Sequence, residues 1–380
     1  MTPDPVRLTA DLVRCASVTP ADAGALALVA RVLGEAGFAC RRIDRGGVAN
    51  LFARWGPKGH PRSFGFNGHT DVVPPGPREA WSVDPFGGVV HDGMVWGRGA
   101  ADMKSGVAAF TCAAARFVTE TPPEGAVIVT VTGDEEGPAL DGTRAILDWM
   151  AAEGEAMAAC LVGEPTSVAR LGDTMKIGRR GSLTARITAA GVQGHTAYPQ
   201  WARNPLPVLV RFLDRLAARR LDEGTAQFEP STLAITTVDT GNPASNVIPG
   251  AATAAVNIRF NDRHCATSLE AWLHAEAAAA AAGSGVALTL ETTCSGEAFL
   301  TPPGPLVALV AAAVRAETGI EPVASTTGGT SDARFIRNHC PVVEFGLVGQ
   351  TMHQADERVA VAEIGALTAI YGRVLAGYFG

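Results

Sequence analysis

The sequence predicts an α/β protein, a sheet covered by helices on both faces, with a second α+β domain of βαββαβ order inserted into it. Three observations carry this expectation. Apolar, β-branched runs such as Ala126-Val127-Ile128-Val129-Thr130-Val131-Thr132 have the composition of buried strands. Along residues 1–179 such runs alternate with segments of helical spacing, the pattern of a helix-covered sheet. After Arg180 the order becomes strand, helix, strand, strand, helix, strand, as in a ferredoxin-like split βαβ unit, before the first pattern resumes.

Taken in order, residues 5–14 read as a short helix. Leu26, Val29, Ala30 and Leu33 keep helical spacing in the next, which Gly37 closes as a C-cap would. Residues 50–55 and 63–67 read as strands. Pro74-Pro75-Gly76 is a breaker, and Asp92-Gly93 between Val89-Val90 and Met94-Val95-Trp96 is a hairpin signal. A glycine-rich loop, Gly97 to Gly106, leads into a helix over 107–118. The strand 126–132 ends in Gly133-Asp134-Glu135-Glu136-Gly137, a helix follows near 142–157, and the strand 160–162 ends in Gly163-Glu164-Pro165. In the inserted part, strands are expected over 182–189, 232–238, 251–260 and 286–292, with helices over 204–221 and 265–282. A helix over 305–317, a strand over 341–345 and an amphipathic helix over 361–378 complete the chain. The expected domains are therefore 1–179 with 294–380, and an insertion of 180–293.

Composition narrows the function. With 47% hydrophobic and 18% charged residues the chain reads as a soluble globular protein. A net charge of −7 argues against a general nucleic-acid binder. No apolar run reaches membrane-spanning length, since the alanine-rich 275–282 stretch is short and interrupted by Glu276. Met1-Thr2-Pro3-Asp4-Pro5 lacks the basic and apolar regions of a secretory signal. The seven cysteines form no Cys-x-x-Cys pair, so neither a disulfide framework nor a thiolate zinc knuckle is indicated. A cytoplasmic protein is expected.

The informative feature is where the polar residues fall. His69 with Asp71, Glu135 with Glu136, Glu164 and His353 each lie at or beyond the C-terminal end of an expected strand, and Asp102 lies in the loop before a helix. In open α/β sheets that edge is the crevice where ligands bind. One acidic residue at a strand end is usually a cap or turn residue, but two histidines and several carboxylates reaching one edge suit a metal site. In an extended strand His69 and Asp71 share a face, and a carboxylate beside an imidazole can hold the ring in its ligating orientation. The charges also balance. Two divalent cations carry four positive charges, and Asp102, Glu136, Glu164 and one bridging hydroxide carry four negative ones, with His69 and His353 neutral. Imidazole and carboxylate without thiolate fit zinc, with cobalt or manganese as alternatives. Of the adjacent Glu135 and Glu136, one can bind metal while the other acts as general base, and the residues alone do not say which.

These motifs resemble the dinuclear zinc amidohydrolases that include aminoacylases, acetylornithine deacetylase and glutamate carboxypeptidases. Gly68-His69-Thr70-Asp71-Val72-Val73-Pro74, Gly97-Arg98-Gly99-Ala100-Ala101-Asp102-Met103-Lys104 and Asp134-Glu135-Glu136-Gly137 carry the likeness, which extends over essentially the whole chain. It implies a zinc-peptidase-like catalytic domain with a mixed sheet covered by helices, and makes the inserted domain a lid and dimerisation domain of a homodimer. It implies that Asp102 bridges two zinc ions, with cobalt as the alternative metal. His69 and Glu164 would complete one site, Glu136 and His353 the other. Glu135 would be the general base, Asp71 the support of His69, and His195 a group reaching across the dimer to stabilise the oxyanion.

Within that family, the nearest likeness is to enzymes that release succinate from N-succinyl-L,L-2,6-diaminopimelate, in lysine and cell-wall precursor synthesis. It rests on Val162-Gly163-Glu164-Pro165-Thr166-Ser167, on the stretch from Met175 through Arg179-Arg180-Gly181-Ser182 to Thr184, on Gly191 to Pro199, on Ser245-Asn246-Val247-Ile248-Pro249-Gly250 and on Gly328 to Phe335. It implies that Arg179, Ser182, Tyr198, Asn246, Arg259, Thr330 and Arg334 contact the substrate, where arginine forks suit carboxylates. The chain departs from those enzymes ahead of the last histidine. They commonly read Asn-Ala-Thr, and this chain reads Gly349-Gln350-Thr351-Met352-His353. The alternative is therefore a related zinc deacylase acting on another N-acyl amino acid, such as N-acetylornithine, or on a dipeptide. A non-catalytic relative would be expected to have lost the base or a ligand, and none is lost. Gly97-x-Gly99 before a helix is too incomplete a fingerprint for a dinucleotide-binding oxidoreductase.

Overall fold

The computed structural model describes residues 3–380, which form two compact units. One runs up to Ile177 and continues through Thr301–Ser325 and Ser331–Gly380; the other comprises Gly178–Leu300 with Thr326–Thr330.

The first unit is built on an eight-stranded mixed sheet. Its order is Ala39–Arg42, Leu51–Trp55, Ala126–Thr132, Ser63–His69, Ala159–Val162, Val342–Glu344, Thr174–Lys176, Val323–Ser325. The four strands from Ala126–Thr132 to Val342–Glu344 run parallel as consecutive neighbours. Each is buried along its whole length, as their apolar and β-branched residues predict. Ala39–Arg42, Thr174–Lys176 and Val323–Ser325 are strands that no local pattern announces. Ala39–Arg42 is exposed at every residue and offers no alternation to detect, and the other two are only three residues long.

Helices Ser105–Glu120 and Val361–Phe379 pack on this sheet through aromatic rings. Phe66 stacks on Phe110 with centroids 5.4 Å apart, and Tyr371 lies 5.4 Å from Phe66. Ser105–Glu120 begins immediately after the Gly97–Lys104 loop. A Cβ at Gly106 would lie 2.4 Å from the Gly163 carbonyl oxygen, so only glycine lets the helix start this close to the strand end.

In the second unit the sheet order is Thr232–Asp239, Ala251–Phe260, Gly181–Ala190, Ala287–Gly296, with every neighbouring pair antiparallel. Helices Leu206–Ala217 and Ala266–Ala281 complete the βαββαβ order. Their apolar residues, among them Leu209, Phe212 and Leu273, form one core with Leu183, Ile187, Val256 and Ile258 of the sheet. The unit extends beyond the 180–293 read from the sequence. Short strands Gly178–Arg179 and Phe299–Leu300 pair antiparallel. Thr326–Thr330 belongs to it as well, because Thr326 Oγ1 donates to the Gln227 carbonyl at 2.5 Å and Arg179 Nη1 to that of Gly329 at 3.1 Å.

Candidate metal centre

The four parallel strands bring their C-terminal ends side by side. Ser63–His69 ends on His69, Ala126–Thr132 leads to Glu135 and Glu136, Ala159–Val162 leads to Glu164, and Val342–Glu344 leads to the loop carrying His353. A fifth contributor, Asp102, comes from the Gly97–Lys104 loop.

His69 Nε2 lies 3.3 Å from Asp102 Oδ1 and 3.9 Å from Glu164 Oε1. His353 Nε2 lies 2.9 Å from Glu136 Oε1 and 3.3 Å from Asp102 Oδ2. Two trios result, His69–Asp102–Glu164 and Asp102–Glu136–His353, each with its ligand atoms within 4.8 Å of one another. Asp102 belongs to both, one oxygen to each.

Local structure explains the aim of each group. The strand ends at His69, so Asp71 lies beyond it, and the shared strand face expected for the pair is not what joins them. Instead the His69 Nδ1 proton goes to the Asp71 backbone carbonyl at 2.9 Å, leaving Nε2 to face the carboxylates. The Asp71 carboxylate has other work: it accepts from the backbone N–H groups of Glu135 at 3.2 Å and Glu136 at 3.1 Å. Asp71 therefore orients three members of the cluster. Asp102 departs from helical backbone, with φ −122° and ψ 101°, which turns its side chain out of the turn that contains it. His353 takes φ +62°, a left-handed conformation on the approach loop.

Electrostatically the cluster seeks positive charge. Burial disfavours a charged His69, yet the carboxylates of Asp102, Glu164 and Asp71 outweigh it and hold the imidazole well above its ordinary value. Hydrogen bonds to Asp102 and Glu136 raise His353 to about 10. Burial pushes Glu164 well above the usual carboxylate range and Asp71 up to about 6. Burial also pushes Glu135 up to about 8, against the lowering effect of His69 and Arg334. Among the described residues, Asp102 Oδ1 is buried with no hydrogen-bond partner, an uncommon state for a buried acceptor. Three carboxylates and two imidazoles without a thiolate, with one carboxylate shared between two trios, fit a pair of divalent cations.

Glu135 is not in either trio. Its Oε1 is 3.9 Å from Arg334 Nη1, and the Arg334 guanidinium stacks on Phe335 at 4.5 Å. Arg334 thus faces the glutamate next to the cluster, while its Nε is buried without a hydrogen-bond partner among the described residues.

His195, Arg179, Ser182, Tyr198, Asn246, Arg259 and Thr330 lie in the second unit. Ser182 and Arg259 are register partners on neighbouring strands, and Asn257 joins them, donating to Ser182 Oγ and accepting from Arg259 Nε. His195 Nδ1 accepts from the Ala197 N–H at 3.0 Å, so the ring proton is on Nε2. The Asn246 carbonyl grips the same loop by accepting from the Thr196 N–H at 3.1 Å. Tyr198 is half exposed and stacks on Trp201 at 4.9 Å.

Glu357 joins the site without belonging to any of the sequence motifs. It is fully buried and accepts the N–H groups of the Asp102 loop. An acidic residue four positions beyond a ligand-type histidine was the available signal.

The chain belongs to peptidase family M20/M25/M40, whose model matches residues 65–377. It is a hydrolase of that family, in which the amide bond is the bond attacked. It is 67% identical over 376 residues to a succinyl-diaminopimelate desuccinylase of Cereibacter sphaeroides, covering 99% of each chain. It is 65% identical over 379 residues to a protein of the same name from Ruegeria pomeroyi, covering 100% of each. Among solved structures it is similar to the YXEP protein of Bacillus subtilis, described as a dinuclear metal binding peptidase of the M20 family. That likeness has a TM-score of 0.74 at 16% identity, covering 97% of this chain and 96% of the other, and concerns the fold alone.

Proposed function

We propose that the protein hydrolyses the amide of N-succinyl-L,L-2,6-diaminopimelate to succinate and L,L-2,6-diaminopimelate, a step in lysine and cell-wall precursor synthesis. The observation that carries the reaction type is the pair of trios sharing Asp102 with Glu135 beside them. The substrate is supported by full-length relatives at 61–67% identity that bear the desuccinylase name.

His69, Asp102 and Glu164 would hold one divalent ion, and Asp102, Glu136 and His353 the other; zinc is the first choice and cobalt the second. When bound, such ions polarise a carbonyl and lower the pKa of a nearby water. The chain's own residues do the rest. Glu135 takes the proton of the attacking water as its oxygen joins the succinyl carbonyl carbon. It returns that proton to the amine nitrogen as the C–N bond breaks, so the products are a carboxylate and a free amine. His195, protonated on Nε2, is suited to donate to the oxyanion that forms in between. Asp71 keeps His69, Glu135 and Glu136 in place. Arg179, Ser182, Tyr198, Asn246, Arg259, Thr330 and Arg334 are the proposed contacts to the several carboxylates of this substrate. We assign the second unit the role of lid and dimerisation domain of a cytoplasmic homodimer.

A second reading, a deacylase for another N-acyl amino acid, draws on Gly349-Gln350. The Gln350 amide donates to the Val168 carbonyl at 2.9 Å on this departing loop. The deciding experiment offers metal-replete protein N-succinyl-L,L-diaminopimelate beside N-acetylornithine. A higher kcat/KM for the first is expected; preference for acetylornithine would overturn the substrate while keeping the reaction class.

A further inference from the structure

Among the buried charges not used in the reaction, Arg98 and Glu357 form a pair beside the cluster. Glu357 lies on the chain just after the His353 loop, and Arg98 on the loop that carries Asp102. Both carboxylate oxygens of Glu357 are fully engaged. Oε1 accepts from the backbone N–H groups of Ala101 at 2.8 Å and Asp102 at 3.0 Å. Oε2 accepts from the Gly99 N–H at 2.9 Å and from Arg98 Nη1 at 2.6 Å. The Glu357 backbone carbonyl accepts from Gly97 N at 2.8 Å. One residue thus accepts from five donors of the Gly97–Asp102 turn, the Arg98 guanidinium and four backbone N–H groups, that of Asp102 itself among them.

Arg98 extends the grip to the other loop. Its Nη1 also reaches the Gln354 carbonyl at 3.2 Å, its Nη2 reaches the His353 carbonyl at 3.4 Å, and Trp81 covers the guanidinium at 5.3 Å. The Arg98–Glu357 pair is therefore bonded to the backbone of Asp102 and to that of His353, and those two residues meet in one trio. Elsewhere in the first unit a buried pair looks different. Arg54 meets Glu155 through a single contact at 3.1 Å, and Glu155 Oε2 has no hydrogen-bond partner among the described residues. That pair supports no loop carrying a site residue.

We infer that Glu357 and Arg98 are positioning residues that set the Asp102 carboxylate and the His353 ring in register for metal, an inference that rests on the two-metal reading above. The chemistry is specific to a carboxylate. Each oxygen accepts two hydrogen bonds, so a glutamine in either flip turns an NH2 group against two N–H donors. The loop must then move, and Asp102 moves with it. Because Asp102 is shared, loss of Glu357 acts on both ions, whereas weakening Arg98 acts on the His353 side. Groups that orient ligands in this way are worth ~10–100-fold in metal affinity.

The test is a zinc titration of metal-stripped full-length protein against a chromophoric chelator. Wild type takes up two ions; uptake of none would overturn the two-metal reading itself. Glu357→Gln is expected to bind both ions at least ~10-fold more weakly with unchanged far-UV circular dichroism. Glu155→Gln, the control for a damaged buried pair, lowers the melting temperature and leaves both affinities at wild-type values. Wild-type zinc affinities in folded Glu357→Gln would overturn the inference while leaving the two-metal reading intact. If Glu357→Gln does not fold, Arg98→Lys decides. It keeps a cation beside Glu357 but loses the fork to the His353 and Gln354 carbonyls, so one ion weakens and the other does not; unchanged affinity for both would overturn the inference.

Discussion

The two trios use the same ligand chemistry but hold it differently. The His69 side chain is 1% exposed and ends a buried strand, with its ring pinned by the Asp71 carbonyl. The His353 side chain is 47% exposed and sits on a loop in a left-handed conformation, its ring held by the carboxylates of Asp102 and Glu136. Rigidity comes to the first from the sheet and to the second from backbone contacts such as those of Arg98. A two-ion centre can thus be half preorganised by secondary structure and half by a buried charge pair.

The most drastic way to break this comparison is to remove what the trios share. Asp102→Asn takes a ligand from both, so metal analysis is expected to find both ions lost and turnover at background. One retained ion would mean the trios are independent after all.

A smaller, sharper test compares the histidines in chelated protein. Replacing His69 with alanine leaves Asp102 and Glu164 buried without their cationic partner and is expected to cost about 3–5 kcal/mol, the usual range for breaking a buried pair. His353→Ala, at a half-exposed position, should cost no more than about 1 kcal/mol. Equal losses in denaturant unfolding would refute the contrast in burial.

The smallest effect is a pH dependence. In the chelated protein Glu135 rises from 4.5 to about 8 and His353 from 6.5 to about 10. A folded value above the unfolded one contributes stability below the unfolded pKa, and that contribution fades as pH rises through the folded value. Between pH 6.5 and 9 the melting temperature of chelated protein should therefore fall, by about 2–4 °C for each 1 kcal/mol lost in a domain of this size. With zinc the fall should vanish or reverse, because metal competes with protons for the same ligands. A melting temperature that climbs with pH in chelator would contradict the sign.

Much of this was legible in the amino acids. The buried parallel strands announce themselves because β-branched and apolar runs are local signals, readable over a few residues. The cluster was legible for a related reason: a strand end displays whatever follows it at the edge of the sheet, so His69, Glu135, Glu136, Glu164 and His353 could be placed together from strand positions alone. Tertiary structure decided the rest. It set Glu136 against His353 and Glu135 against Arg334, a choice between adjacent residues that sequence logic left open. It gave the Asp71 carboxylate to the backbone of Glu135 and Glu136, and it put Glu357 under Asp102. Those partners are 64, 65 and 255 positions apart along the chain. A hydrogen bond across such distances depends on how the whole sheet and its loops close, and no local pattern of residue types encodes that.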